Sequence, residues 1–379
     1  MDTYSKYELI VGLEVHIQLS TKSKAFCSDS ALYGASPNEY TSMITLGHPG
    51  TLPKINKAVI EYAVKLGLAT HCTINPYNEF ARKNYFYADL PKGYQISQFN
   101  TPICTKGKFE IETNGVKKTI GITQIHIEED AGKSIHDLDP YHSLIDLNRA
   151  GVALLEMVSE PDFRSADETT SYLNELRKLV RYLDICDGNM EEGSMRCDAN
   201  ISVRLKGAEK FGQRSEVKNI NSIRNVKRAI ESEFIRQIDA LERGEVLTQE
   251  TRRFDALTGK TLSLRSKEQA HDYRYFPEPD LPPVVLNDAY IQEVRKNMPE
   301  LSRELEAKYT QVYQLSEYDA KVLTEDKETA FYYNEILVST KNYKAAANWM
   351  IGPIKSYINE QAIEIGQFPI LPAQIASII

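Results

Sequence analysis

Hydrophobic and polar residues alternate with period two in two long stretches, the pattern of extended chain with one face packed and one face wet. In IVGLEVHIQL (Ile10 to Leu19), Leu13, Val15, Ile17 and Leu19 share one face, and Glu14, His16 and Gln18 share the other. SMRCDANISVRL (Ser194 to Leu205) repeats this: Met195, Cys197, Ala199, Ile201, Val203 and Leu205 oppose Ser194, Arg196, Asp198, Asn200, Ser202 and Arg204. Such strands belong to an antiparallel sheet rather than a doubly wound parallel one, whose strands are apolar on both faces. Helical spacing governs other stretches. After Pro53, residues Ile55, Ala58, Val59, Tyr62, Ala63 and Leu66 predict a helix with Gly67 at its end. Ser165 and Glu168 form a capping box ahead of Tyr172, Leu173, Leu176, Leu179, Val180 and Leu183. A third helix carries Ile223, Val226, Ile230, Phe234, Ile238 and Leu241 and stops at Gly244. RRFDALTGKTLSLR (Arg252 to Arg265) reads as a hairpin turning at Thr258-Gly259. Strands with helices to one side predict an α+β domain.

The stretch DYRYFPEPDLPP (Asp272 to Pro283) is rich in proline and aromatics and reads as an ordered loop or a domain exit. Beyond about residue 295 the strand signal fades and short helices take over, with the single tryptophan, Trp349, among them. The expected organisation is therefore a sheet-bearing domain over 1–295 and an all-α domain over 296–379. The closing LPAQIASII starts a helix without a polar stop, so the all-α domain reads as truncated.

Composition narrows the classes. With 379 residues, 42 % hydrophobic and 26 % charged, the chain is an ordinary globular one of two or three domains. No apolar run approaches a membrane span, and the N-terminus lacks the layout of a secretory signal. Five scattered cysteines without a CxxC fit reduced thiols, and the expected compartment is the cytoplasm. The net charge of −8 excludes a general basic stripe, so contact with nucleic acid has to be local or supplied by other parts.

Candidate chemistry sits on the polar strand faces. Glu14 and His16 project to the same side, where a carboxylate and an imidazole can share a metal or a proton; a solvated sheet face is the plain alternative. In ITQIHIEEDAGKS, His126, Glu128, Glu129 and Asp130 crowd one strand end, and acids that close need a cation, lysine or arginine to neutralise them. A hard-metal site, with Mg²⁺ as the usual companion of phosphates, competes there with a charged turn. AGKS lacks the first glycine of a phosphate loop and is set aside. Glu156 lies in a mainly apolar run and requires a partner, and Glu160 follows it. Arg82, Lys83 and Lys92 stand among Tyr85, Phe86, Tyr87 and Tyr94, as phosphate- or base-holding cations or as snorkelling side chains. Glu191, Glu192, Arg196, Asp198 and Asn200 add a second polar cluster.

Eight stretches in order along the chain carry a resemblance. They are GLEVHIQL, RKNYFYADLPKGYQISQ, GITQIHIEEDAGKS, DLNRAGVALLEMVSEPD, MEEGSMRCDANIS, EVKNINS, QETRRFD and DYRYFPEPD. Together they resemble the B subunits of the aspartyl/glutamyl-tRNA(Asn/Gln) amidotransferases. The resemblance implies a cradle domain similar in fold to glutamine synthetase, then a helical domain and, in full-length members, a tail domain that helps hold tRNA. It also implies an ATP-dependent reaction with Mg²⁺, in which the side-chain carboxylate of Asp-tRNA(Asn) or Glu-tRNA(Gln) is phosphorylated and then amidated. Ammonia would come through a channel from the glutamine-hydrolysing amidase (the A subunit), with a small C subunit completing the heterotrimer.

Carried onto this sequence, the resemblance implies Glu14, His16, Glu128, Glu129 and Glu156 as the metal-site acids and imidazole. Lys83 would meet phosphate. Lys92 and Glu129 match the pair at the channel mouth, Glu129 taking a proton from ammonium. Arg196, Asp198 and Asn200, with Lys83, would face ATP or the aminoacyl end of tRNA, and the catalytic set is Glu129, Lys92, Lys83 and Glu156. Many relatives have a zinc knuckle built on Cys-Gly-Cys and Cys-x-x-Cys. Here those stretches are Cys27-Ser28-Asp29 and Ser42-Met43-Ile44-Thr45, so no structural zinc is expected. A tRNA-binding scaffold with a degenerate site is the alternative to the enzyme, and a free-standing ligase acting on free glutamate is a third reading.

Overall fold

A computed structural model of the chain describes residues 3–266 and 272–379. Its centre is a nine-stranded sheet. The strands are β1 (Tyr7–Gln18), β2 (Thr73–Ile74), β6 (Cys104–Thr113), β7 (Val116–Glu129), β10 (Ala153–Ser159), β11 (Met195–Leu205), β12 (Ser215–Ile220), β13 (Glu250–Asp255) and β14 (Lys260–Ser266). Their spatial order is β14-β13-β12-β11-β1-β10-β7-β6-β2. Small sheets decorate this frame: β4 (Ala81–Asn84) pairs with β5 (Tyr94–Ser97) and with β15 (Phe276–Pro277), β3 (Tyr77–Asn78) with β16 (Val284–Val285), and β8 (Lys133–Ile135) with β9 (Leu144–Asp146). The fold is α+β.

The two strands read from alternation form where expected, and they are neighbours: β1 pairs antiparallel with β11 over nearly its whole length. Val11, Leu13, Val15 and Ile17 are buried to 1 % exposure or less, whereas Glu14, His16 and Gln18 are only half-buried. The sheet is not purely antiparallel, because β12 and β13 run parallel. The helix α3 (Ile223–Glu242) makes the crossover that a parallel pair requires. The hairpin of β13 and β14 closes through Asp255 and Lys260, and Gly259 has φ +69°, the left-handed conformation its turn requires.

Helices cover the apolar face. In α2 (Ala166–Tyr182), the fully buried Tyr172 packs edge-on against Phe109 of β6 and Phe163. Ser165 Oγ accepts from the amide of Glu168, but the Glu168 carboxylate reaches back to the amide of Arg164 rather than that of Ser165. The helix α1 (Lys57–Ala69) is capped by Asn56 and passes through Gly67 instead of ending there. Gly67 serves close approach: a Cβ at that position would stand 2.4 Å from the Cys104 sulfur. A stop signal in sequence is thus a packing requirement in space.

The chain divides into two compact units, residues 1–175 with 185–297 and residues 176–184 with 298–379. The second unit is entirely helical and recruits the end of α2, a segment that sequence pattern assigns to the first domain because the helix is continuous. Its core gathers Tyr182, Leu305, Tyr309, Leu323, Tyr333 and Ile336. The buried hydroxyls are satisfied, Tyr182 donating to the Thr324 carbonyl at 2.8 Å and Tyr309 to Asn334 Oδ1 at 2.9 Å. Among the described residues no helix is long and apolar enough to cross a membrane.

Candidate active site

Strand register assembles the site. His16 of β1 lies opposite Glu156 of β10 and Arg196 of β11, and Glu156 lies opposite His126 of β7. Residues directly opposite in a ladder share a face, so one row across four strands reads Arg196, His16, Glu156, His126. Two residues along, Leu154 pairs with both Gln18 and Glu128, which brings Glu128 to the same face. His16 Nε2 is 3.3 Å from Glu156 and 3.6 Å from Glu128; His126 Nε2 is at 3.3 Å and 3.6 Å from the same two carboxylates. Two imidazoles and two carboxylates thus alternate in a closed group, built from three strands on the polar side of the sheet.

Electrostatics hold the group together. Burial pushes the His16 pKa down, but the hydrogen bond and charge of Glu156 and the charge of Glu128 outweigh it and raise it to about 9. For His126 burial is again overcome, by the charge of Glu156 and the hydrogen bond to Glu128, and the pKa rises to about 10. Burial alone would raise the Glu156 carboxyl, yet His126 and His16 drive it well below the usual range.

His16, Glu128 and Glu156 each bring a donor atom within 4.8 Å of the others, the proximity a single divalent ion demands. The donor set fits a cation that accepts nitrogen as well as oxygen ligands. Mg²⁺ would rest on the two carboxylates and keep waters, whereas Mn²⁺ or Zn²⁺ would also take imidazole.

The remaining candidates separate. Glu14 shares the face but not the cluster: its Oε1 accepts from Asn200 Nδ2 at 2.8 Å, and burial followed by the charge of Glu156 raises its pKa. Asp198 pairs with Lys218 at 3.0 Å, and Arg196 with Asp130 at 2.7 Å. Lys83, on β4, has its Nζ 5.0 Å from the centroid of the Tyr273 ring. Burial works against its charge, but Glu128 foremost keeps its pKa raised. His16, Lys83, Glu128, Arg196, Asp198 and Lys218 line one open cavity of about 750 Å³, within the range of small-molecule sites.

Glu129 does not join the metal-site residues. It follows Glu128 in the same strand and therefore points to the opposite face. There it pairs with Lys92, and its Oε1 accepts from the amide of Ile96 at 2.9 Å. Both Glu129 and Lys92 line a second, smaller cavity of about 90 Å³. Glu129 and Lys92, the pair that the resemblance implies at a channel mouth, are in contact, whereas the expectation of Glu129 beside His16 is corrected, since strand parity sets it on the opposite face and the group that could share an ion is His16, Glu128 and Glu156. His126 is the residue that takes the vacated place in the cluster. It is visible in sequence two positions before Glu128, the spacing that puts both on one face.

Residues 9–292 match the family model of the GatB/GatE catalytic domain. The chain is 52 % identical over 377 residues to the aspartyl/glutamyl-tRNA(Asn/Gln) amidotransferase B subunit of Caldicellulosiruptor bescii, covering 99 % of this chain and 78 % of that protein. The namesake from Geobacter sulfurreducens is 52 % identical over 376 residues, covering 98 % and 78 %, and that from Syntrophotalea carbinolica 50 % over 375, covering 99 % and 78 %. The chain belongs to the family of aspartyl/glutamyl-tRNA(Asn/Gln) amidotransferase B subunits, components of glutamine-dependent tRNA amidotransferases.

Proposed function

We propose that the polar face of the sheet is where this chain activates the side-chain carboxylate of aspartate or glutamate on a mischarged tRNA with ATP, and then amidates it. The observation that carries this reading is the His16–Glu128–Glu156 group, whose His16 and Glu128 line the larger cavity together with Lys83 and Arg196. A carboxylate oxygen is a poor leaving group at neutral pH. Transfer of the γ-phosphoryl of ATP makes it an acyl phosphate, ammonia then attacks the acyl carbon, and inorganic phosphate departs with the oxygen. His16, Glu128 and Glu156 would hold a divalent cation, which would supply the positive charge that lets one anion approach another.

The chain's own cations do the positioning. Lys83 faces the cavity and, among the described residues, has no carboxylate within ion-pair distance, which leaves its ammonium to hold phosphate oxygens. Arg196, tethered to Asp130, offers its remaining guanidinium N–H groups to ATP or to the aminoacyl end of tRNA, beside Asp198 and Asn200. On the other face, Glu129 and Lys92 receive ammonia released by the amidase partner, with Glu129 accepting the proton that separates ammonium from ammonia. The sheet-bearing domain of residues 1–295 holds this chemistry, and the helical domain of 296–379 contributes to tRNA contact. A small third subunit completes the assembly, which works in the cytoplasm.

The test uses the complex reconstituted with its amidase and small subunits, mischarged tRNA and γ-labelled ATP. The wild-type complex is expected to release labelled phosphate only with mischarged tRNA and to form the amide, while Glu156→Gln loses both and keeps glutamine hydrolysis by the partner. Full amidation by Glu156→Gln overturns the assignment and favours a scaffold role for this face.

A further inference from the structure

The His16 cavity and the Glu129 cavity are lined by neighbouring residues of the same segments and share a wall. Three pairs of consecutive residues are divided between them: Gln95 and Ile96, Glu128 and Glu129, Val152 and Gly151, the first of each lining the larger cavity and the second the smaller. These segments are tied together across the wall by the Ile96 amide donating to the Glu129 side chain and by the Asp130 amide donating to the Val152 carbonyl at 2.8 Å. Of these pairs, only Gln95 spans the seam with an uncharged polar side chain. It is 6 % exposed, its Nε2 donates to the Glu129 carbonyl at 2.6 Å, and its Oε1 accepts from the Tyr85 hydroxyl at 3.4 Å. The carbonyl fixes which end of the amide is nitrogen, since the reverse orientation would set two oxygens against each other.

We propose that Gln95 is the positioning residue through which ammonia crosses from the Glu129 cavity to the His16 cavity. This deepens, and rests on, the reading that ammonia arrives on the Glu129 side and reacts on the His16 side. The chemistry suits an amide. Ammonia must stay unprotonated to act as a nucleophile, and Gln95 Oε1 accepts an N–H without exchanging a proton, whereas a carboxylate would hold ammonium in place. The bond from Tyr85 lies at the long limit of a hydrogen bond, so Oε1 is the end that yields. Tyr85 remains a donor throughout, because burial, followed by the charges of Glu128, Glu129 and Asp130, keeps its hydroxyl protonated.

The experiment compares nitrogen sources in the reconstituted complex. Added ammonium reaches the open, larger cavity from solvent and bypasses the wall; glutamine-derived ammonia does not. Gln95→Leu is expected to lower glutamine-dependent amidation roughly tenfold or more while ammonium-dependent amidation and partner glutamine hydrolysis stay unchanged. Gln95→Met, of closer shape, should give the same split, and thermal unfolding of both variants should match the wild type. Equal loss with the two nitrogen sources, or no loss with either, overturns the proposal for Gln95. A wild-type complex that amidates with neither source overturns the functional reading instead.

Discussion

Glu128 and Glu129 are consecutive in one strand, yet Glu128 stands 3.6 Å from both His16 and His126 while Glu129 is paired with Lys92 in a different cavity. Two carboxylates of identical chemistry are thereby given separate surroundings by the period of a β-strand.

The first prediction follows from that separation. Glu128→Gln should weaken binding of Mn²⁺ to the purified protein by about a hundredfold or more, since loss of even an outer partner of a metal ligand costs about ten- to a hundredfold. Glu129→Gln should leave Mn²⁺ affinity as it is. Calorimetry or paramagnetic resonance reads both, and parallel losses in the two variants would put Glu129 back among the ligands.

The second concerns pH. With pKa values raised to about 9 and about 10, His16 and His126 are protonated at neutral pH when no cation is bound. Their contribution to stability is complete below the ordinary histidine pKa, near 6.5, and is lost as pH rises through 9 and 10. A divalent ion that takes nitrogen ligands has to displace these protons. Mn²⁺ binding at pH 7 should therefore release protons and strengthen as pH rises, which titrations in buffers of different ionisation enthalpy will count. Binding without proton release would show that oxygen ligands alone hold the ion.

Both histidines and both glutamates are visible in the sequence as polar positions of alternating strands, and the strands themselves follow from their pattern. The register is not legible there, because a period-two pattern fixes which face a side chain takes but not which residue lies opposite it. Glu156 opposite His16 is a fact of pairing between residues far apart in sequence. Parity, by contrast, is available: it already forbids Glu128 and Glu129 from sharing a face. The parallel pair β12 and β13 escapes notice because β12 is short and half-polar, like its antiparallel neighbours. Lys83 belongs to a small sheet in which β4 pairs with the nearby β5 and with β15, nearly 200 residues on, and that distant pairing is one no local pattern encodes.

Gly67 provides the third prediction. Alanine in place of a mid-helix glycine ordinarily stabilises by about 1 kcal/mol. Here the added methyl would meet Cys104 Sγ at 2.4 Å and Ile74 Cδ1 at 2.7 Å, and overpacking costs about 1–3 kcal/mol. The clash wins, so Gly67→Ala should lower the melting temperature. Adding Cys104→Ala should recover part of the loss, and strict additivity of the two substitutions would refute the contact.

The fourth concerns the loop before α1. Asp29 Oδ2 accepts from the Ser42 amide at 2.8 Å and the Thr45 hydroxyl at 2.5 Å, and Cys27 Sγ lies 3.5 Å from that same hydroxyl. Hydrogen bonds to a carboxylate thus join the two segments, 27–29 and 42–45, from which a structural zinc is not expected. Asp29→Ala should cost about 2 kcal/mol, as hydrogen bonds to a charged group do. Protein purified without chelator should hold no stoichiometric zinc, and one zinc per chain by elemental analysis would refute this.

The central place of β1 in the sheet has a consequence for biosynthesis. His16 leaves the ribosome early, but its two neighbouring strands carry Glu156 and Arg196. At 5–20 residues per second the nascent strand waits roughly 10–35 s before both flanking partners are translated. Throughout that interval Ile10, Val11, Leu13 and Val15 form an oily ribbon with no mate. Newly made chains are therefore most vulnerable to clumping between the synthesis of β1 and that of β11, which makes a shielding chaperone at the exit tunnel a natural companion of this topology.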